Sequence, residues 1–316
     1  MTYMSMTMPR NNFLDAVRGF GIVLVVIGHL IQMRYLPDSF DSNIIFKLIY
    51  SFHMALFFLI SGYFFKEKSL FDEMIWSTKR LIVPFFFFYF LVSCKADVRQ
   101  FFSTIVDYVI NPQIGFWFFF VLFAIRIFVT ALLECKWVFK GGVLIFVSLI
   151  LAKMHTVASA HYILFYTPFF LLGYWVRVYG DALVVVKAKD VIQKNILLFL
   201  IVTSIIYLGI FSLFYTRTTV GNYSGLFLIQ KSVLALLGSV IVIMFFGLIY
   251  KYIKIPLLEY VGRFTLSIYG LHLLFIFSYD LIGWGALIFM ILIPVLVSEA
   301  YSRLLRSTKS LAFLSR

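Results

Sequence analysis

Runs of about 15–25 apolar residues recur along almost the whole chain, and each, wound as a helix, is long enough to cross the ~30 Å hydrocarbon core of a bilayer. Lipid supplies no partner for backbone N–H and C=O groups, so a spanning segment must close its hydrogen bonds on itself, as a helix does. Hydropathy places about ten such spans, near residues 13–33, 44–65, 81–94, 114–134, 141–154, 160–178, 195–215, 226–250, 264–282 and 284–302. The chain is 63% hydrophobic and 13% charged, against roughly 45–50% and ~25% in a soluble domain. An all-α, polytopic integral membrane protein is therefore predicted, with one membrane domain over residues 1–316 and no separate soluble domain. The longest loops, 95–113 and 179–194, are too short to fold alone.

The net charge of +13 would suit a nucleic-acid binder. The basic residues, however, sit in short loops, where they set membrane orientation instead. With the N-terminus inside, 18 of the 27 Lys and Arg fall on the inner side and 7 on the outer. Both termini are thus predicted to be cytoplasmic, and no nucleic-acid partner is expected. Cys94 and Cys135 fall on opposite sides of that topology, so no disulfide framework is expected. No Cys/His spacing suggests a metal. The first run carries Asp15 and Arg18 and is followed by no small-x-small cleavage site, as expected of a retained span.

Ionisable side chains at membrane depth are costly and usually face a bundle interior or a wet cavity. In "RGFGIVLVVIGH", Arg18 and His29 are eleven positions apart. At ~100° per residue this is three turns plus about 20°, so both lie on one face, roughly 16 Å apart along the axis. Asp15 is three positions before Arg18, within pairing reach. Gly19, Gly21 and Gly28 would let a neighbouring helix or ligand approach closely. Two roles stay open for His29: a hydrogen-bonded packing residue, or a general base that takes a proton from a hydroxyl. Three further histidines, His53, His161 and His272, lie in or at the edge of spans, and His155 lies in a loop. His53 and His272 are either packing residues or members of the same cavity. Ser61 and Gly62 form a small pair suited to helix packing or to a cavity. Trp117 is an interfacial anchor or a cavity wall. Lys79 and Arg80, just before Pro84, read as a membrane anchor or as a phosphate clamp. Arg126 reads as a snorkelling anchor or a ligand.

These features, taken in order, resemble acyltransferase family 3, the integral-membrane O-acyltransferases, and within it the branch of sugar O-acetyltransferases resembling fucose 4-O-acetylase. The resemblance rests on Leu14, Asp15, Arg18, Gly19 and His29 in the first span, and on Phe52 to Tyr63 in the second. It continues with Lys79, Arg80 and Pro84, with Trp117 to Phe123, and with Gly262, Leu266, Ile268, Tyr269 and His272. One position departs: where members often carry a second arginine, three residues before Arg80, this chain has Ser77.

The resemblance implies transfer of an acetyl group from acetyl-CoA to a sugar hydroxyl of a surface polysaccharide, O-antigen or related glycan, or of its lipid-linked precursor. It also implies a bacterial inner-membrane location among membrane lipids. His29 would be the base, and Arg18 and Asp15 would complete the catalytic set, Arg18 binding the donor or orienting the helix through Asp15. Lys79, Arg80 and Arg126 would hold the phosphates of CoA. His53, Ser61, Trp117 and His272 would shape the substrate cavity. A glycolipid flippase or secondary transporter is the alternative, since intramembrane Asp, Arg and His also form transport paths. No inverted repeat supports it, and no large outer loop supports a glycan polymerase or ligase.

Overall fold

The computed structural model describes residues 11–93, 116–134, 160–180, 183–214, 225–278 and 284–307. The expected span at 141–154, both cysteines and the whole of the 95–113 loop lie outside these residues. Among the described residues every regular element is helical. In chain order the helices are α1 Asn12–Leu30, α2 Ile44–Tyr63, α3 Leu70–Ser77, α4 Val83–Ser93, α5 Trp117–Glu134 and α6 Ala160–Val178. They continue with α7 Leu183–Lys194, α8 Ile196–Phe214, α9 Gly225–Ile249, α10 Pro256–Arg263, α11 Thr265–Ser278 and α12 Trp284–Ser307. Six stretches are long and apolar enough to cross a membrane: 12–35, 44–63, 70–91, 117–134, 196–213 and 227–249. Shorter apolar helices cover 265–276 and 285–300. Together with α6, these match nine of the ten expected spans.

The helix starts follow local chemistry. The side chains of Asn11 and Asn43 accept hydrogen bonds from the backbone N–H groups of Leu14 (3.2 Å) and Phe46 (2.9 Å), capping α1 and α2. Ser69 caps α3 through the N–H of Asp72 (3.1 Å), and Pro256 opens α10 where its missing N–H costs nothing.

The third span differs from expectation. It begins at Leu70, not near residue 81, and runs through a π-helical turn at Thr78–Ile82 into α4. Pro84 therefore lies in the middle of a continuous helix. Without an N–H it cannot bond the carbonyl of Arg80 four residues back, and the ladder widens there, with Val83 N–H reaching Thr78 O. Lys79 and Arg80 sit on this widened turn, and both are exposed.

Two helix pairs touch backbone to backbone through glycine. A side chain on Gly19 of α1 would overlap Leu258 O of α10, and one on Gly262 of α10 would overlap Asp15 O of α1. Gly62 of α2 and Gly173 of α6 meet Phe170 O and Leu59 O in the same way. Small residues permit this approach where lipid gives no hydrophobic drive between helices. Gly262→Val is expected to destabilise the protein by about 1–3 kcal/mol, because rigid backbone rather than a movable side chain fills the space. A lowered melting temperature in detergent checks it.

The main core joins α1, α2, α5, α6 and α11, with Val26, Phe58, Phe119, Phe170 and Leu273 buried at its centre. By contrast α8 exposes Leu197, Leu198, Ile201 and Ile205. In water that face would be a large apolar patch; against acyl chains it is solvated. Ser51 and Tyr207 share a hydroxyl–hydroxyl bond of 2.6 Å that ties α8 to α2.

Candidate active site

The fold sorts the polar groups of the spans to two ends of the bundle. One end holds the first turns of α1, α3, the last turns of α5 and α6, and α10. The other holds the end of α1, the first half of α2, the starts of α5, α6 and α9, and the middle of α11.

At the second end lies a small, partly open cavity of about 60 Å³. His29 and His53 line it with Trp117, so three sequence-singled residues from α1, α2 and α5 converge. His272 is fully buried directly behind His29, and His29 Nδ1 lies 2.7 Å from His272 Nε2. The two rings are parallel to within 3° with centres 5.0 Å apart. That separation is the N···N distance plus the two ring radii, so the imidazoles meet edge to edge in one plane rather than face to face.

Hydrogen bonding fixes the tautomers. A carbonyl can only accept, so His272 Nδ1, 2.9 Å from Ile268 O, carries a proton. In the neutral pair His272 Nε2 is then bare and accepts the Nδ1–H of His29. That leaves His29 Nε2 with a lone pair. His53 is held the same way: its Nδ1–H donates to Ile49 O (2.8 Å), leaving Nε2 as an acceptor. A backbone carbonyl and a second histidine thus orient His29 as a carboxylate orients the histidine of a catalytic triad.

Of the rest of the wall, sequence reasoning named Tyr269 as part of the resemblance and left the others unmarked. Tyr50, Tyr162, Tyr166, Tyr269 and Lys231 line the same space. Gly28 makes room for Tyr50, whose ring carbon would lie 2.7 Å from a Cβ built there. Tyr50 donates to Gln32 Oε1 (3.1 Å). Trp117 stacks against both Tyr162 (centres 4.4 Å, 19°) and Tyr166 (5.5 Å, 19°), whose own centres are 6.2 Å apart, so it is part of a wall. One signal for Lys231 was available: a lysine six positions into an unbroken apolar helix is not a loop residue. Apart from the motif residue Tyr269, nothing in the sequence separates the cavity tyrosines from the chain's other tyrosines.

Ser61 does not line the cavity. It lies two turns beyond His53 on the same helix, next to the Gly62 packing contact. Arg18 and Asp15 are at the opposite end. Asp15 is buried and lies 3.5 Å from the guanidinium of Arg18, which also sits 4.4 Å above the ring of Phe64.

Arg126 does not snorkel to the surface. It is buried, with Nε 2.6 Å from Glu73 Oε1 and 3.2 Å from Ser77 Oγ. Ser77 in turn donates to Glu73 (2.5 Å). Ser77 occupies the position where the resembling family often has a second arginine, and here a guanidinium reaches that position from α5. Glu73 was missed because "LFDEMIWSTKR" is too charged to score as a span. Lys68 approaches Glu73 Oε2 (3.8 Å) and lies 4.1 Å over the ring of Trp76. Lys68 belongs to the link before α3; burial lowers its pKa, and Glu73 opposes that shift. Arg80 stands 5.3 Å over the same indole. Among the described residues no group of three His, Cys, Asp or Glu is spaced to hold a metal ion.

Comparison with known proteins agrees with this architecture. The acyltransferase domain of acyltransferase family 3 matches residues 11–301. Nodulation protein NolL of Sinorhizobium fredii (strain NBRC 101917 / NGR234) is 30% identical over 177 residues, 51% of this chain and 47% of that protein. Nodulation protein NolL of Mesorhizobium japonicum (strain LMG 29417 / CECT 9101 / MAFF 303099) is 30% identical over 184 residues, 53% of this chain and 48% of that protein. The chain thus spans about half the length of the curated relatives it matches. No solved structure matches it. With the match covering α1 to α12, the chain belongs to acyltransferase family 3.

Proposed function

We propose that the protein is a bacterial inner-membrane O-acetyltransferase that moves an acetyl group from acetyl-CoA to a sugar hydroxyl of O-antigen or a related surface glycan, or of its lipid-linked precursor. The observation that carries this is the His29–His272 hydrogen bond at a cavity wall, in a chain of an acyltransferase family. Both termini are cytoplasmic in this proposal. The end of the bundle with Arg18, Lys79 and Arg80 then faces the pool of acetyl-CoA.

Lys79 and Arg80, exposed on the widened turn, take the phosphates of CoA. Arg126 acts through Glu73 and Ser77, holding the helix that carries them. The extended pantetheine arm spans the roughly 16 Å between Arg18 and His29. His29 Nε2 then accepts the proton of the acceptor hydroxyl as that oxygen attacks the thioester carbonyl. O–H donors of the cavity tyrosines stabilise the oxyanion. Collapse forms the ester, expels the CoA thiolate and returns the proton to it from His29.

His272 is a positioning residue in this scheme. His272→Phe is expected to lower kcat by about 10–100-fold, because His29 loses the acceptor that selects its tautomer. His272→Gln, whose side-chain carbonyl can accept the same N–H, is expected to recover part of that loss. A packing role alone would show in the melting temperature and leave kcat unmoved.

The function is tested by mass spectrometry of surface glycan from cells with and without the gene. Acetylation adds the mass of one acetyl group per site in a gene-dependent way. A flippase or transporter would change the location of glycan and leave its mass the same.

A further inference from the structure

Just beyond His29 the first span leaves the α form. It passes through a π-helical turn at Ile31–Tyr35, in which Leu36 N–H reaches back five residues to Ile31 O (3.0 Å). In an unbroken α-helix Arg34, five positions after His29, would stand about 140° round the axis from it. The wider turn takes up about one extra residue, so the residues at its end come back toward the face that carries His29. Arg34 accordingly reaches α11: its Nη2 donates to the backbone carbonyl of Ile276, itself a buried residue. The same turn places Gln32 Oε1 to accept from Tyr50 on α2 (3.1 Å), the tyrosine that fills the notch at Gly28.

His29 and Arg34 thus tie α1 and its extension to α11 at successive levels. His29 meets His272 (2.7 Å), and one turn further along both helices Arg34 meets Ile276. At ~1.5 Å per residue the second tie lies about 6–8 Å beyond the first. A single hydrogen bond leaves two helices free to turn about it; a second one, a turn away, fixes both sliding and rotation. That matters because the imidazole pair is directional, and a hydrogen bond weakens steeply as its angle bends. Lipid supplies no hydrophobic drive that would restore the register of the two helices. The guanidinium donor makes the second tie charge-assisted, which is the stronger kind.

We infer that Arg34 is a positioning residue for the reaction: by locking the end of the first span to α11 it holds His29 Nδ1 on His272 Nε2, and so keeps His29 Nε2 bare for the acceptor hydroxyl. This rests on the proposed role of His29 as general base, and adds a residue outside the cavity lining that sets its tautomer.

The test is nitrogen-15 NMR of the histidine side chains of the full chain in detergent or nanodiscs, with the His29 signals assigned by their loss in His29→Gln. Protonated and bare ring nitrogens have well-separated shifts, so the spectrum reports the tautomer directly. The wild type is expected to show His29 as one species, with Nδ1 protonated and Nε2 bare. Arg34→Met should divide His29 between both tautomers and lower kcat for acetyl transfer about tenfold or more, with KM for acetyl-CoA little changed. Arg34→Lys, which can still donate to Ile276 O, should recover most of both losses. Arg34→Gln replaces the methionine variant should that variant melt early. An Arg34→Met protein that keeps the wild-type His29 spectrum would overturn the inference, even with a lowered melting temperature, since that alone marks a structural tie. So would a wild-type His29 already divided between tautomers. The spectrum is read without turnover, so a wild-type protein that transfers no acetyl counts against the proposed function and leaves the role of Arg34 to be decided by the spectrum.

Discussion

His29→Ala is expected to lower acetyl transfer by about 10²–10⁴-fold, the usual contribution of a positioned general base. His29 is the cavity residue whose Nε2 is left bare by the dyad, and no other group on α1 near it can accept a proton. His29→Gln separates chemistry from structure. Its amide N–H can still donate to His272, so folding should be close to wild type, but an amide is no base. Steady-state rates for both variants, with melting temperatures beside them, check this. Full activity in a folded His29→Ala protein would remove the base from His29.

The largest expected effect on stability lies at the other end of the bundle. Arg126→Ala leaves Glu73 buried without its guanidinium partner, and among the described residues Glu73 Oε2 makes no hydrogen bond and has only Lys68 at 3.8 Å. Breaking a buried pair from one side costs about 3–5 kcal/mol, whereas replacing both members by apolar groups is often near neutral. The double variant Glu73→Met/Arg126→Met should therefore melt well above Arg126→Ala. If Arg126→Ala melts like wild type, the pair does not hold α3 and α4 against α5. The same cycle reads function: KM for acetyl-CoA should rise in Arg126→Ala, because Lys79 and Arg80 ride on the helix that Arg126 anchors.

Much of the bundle was legible because one physical rule dominates it. Apolar length marks a span, and the helices at 12–35, 44–63, 117–134, 196–213 and 227–249 lie close to the runs seen in the sequence. The rule failed at Leu70–Ile82, where Asp72, Glu73, Lys79 and Arg80 break the apolar run. One of those charges is neutralised inside the protein by a residue 53 positions away, which local hydropathy cannot register.

The candidate site divides the same way. Helical periodicity put Arg18 and His29 on one face, and intramembrane polarity singled out His53 and His272. The bond that gives these residues a chemical role joins positions 243 apart, and only the packing of α1 against α11 creates it. Tyr50, Tyr162 and Tyr166 carry no local mark, because an aromatic that walls a cavity and one that meets lipid look alike in a chain that is 20% aromatic. Ser61 illustrates the reverse. Read as a packing or cavity residue, it accompanies Gly62, where α2 and α6 touch through their backbones.

The most direct measurement is acetyl transfer by purified protein in proteoliposomes, supplied with labelled acetyl-CoA and glycan acceptor, with wild type and His29→Gln compared side by side. The account predicts label in ester linkage to the glycan for the wild type and a loss of at least about 100-fold in the variant. Label transfer undiminished in folded His29→Gln, or wild-type protein that relocates glycan without acetylating it, would contradict it.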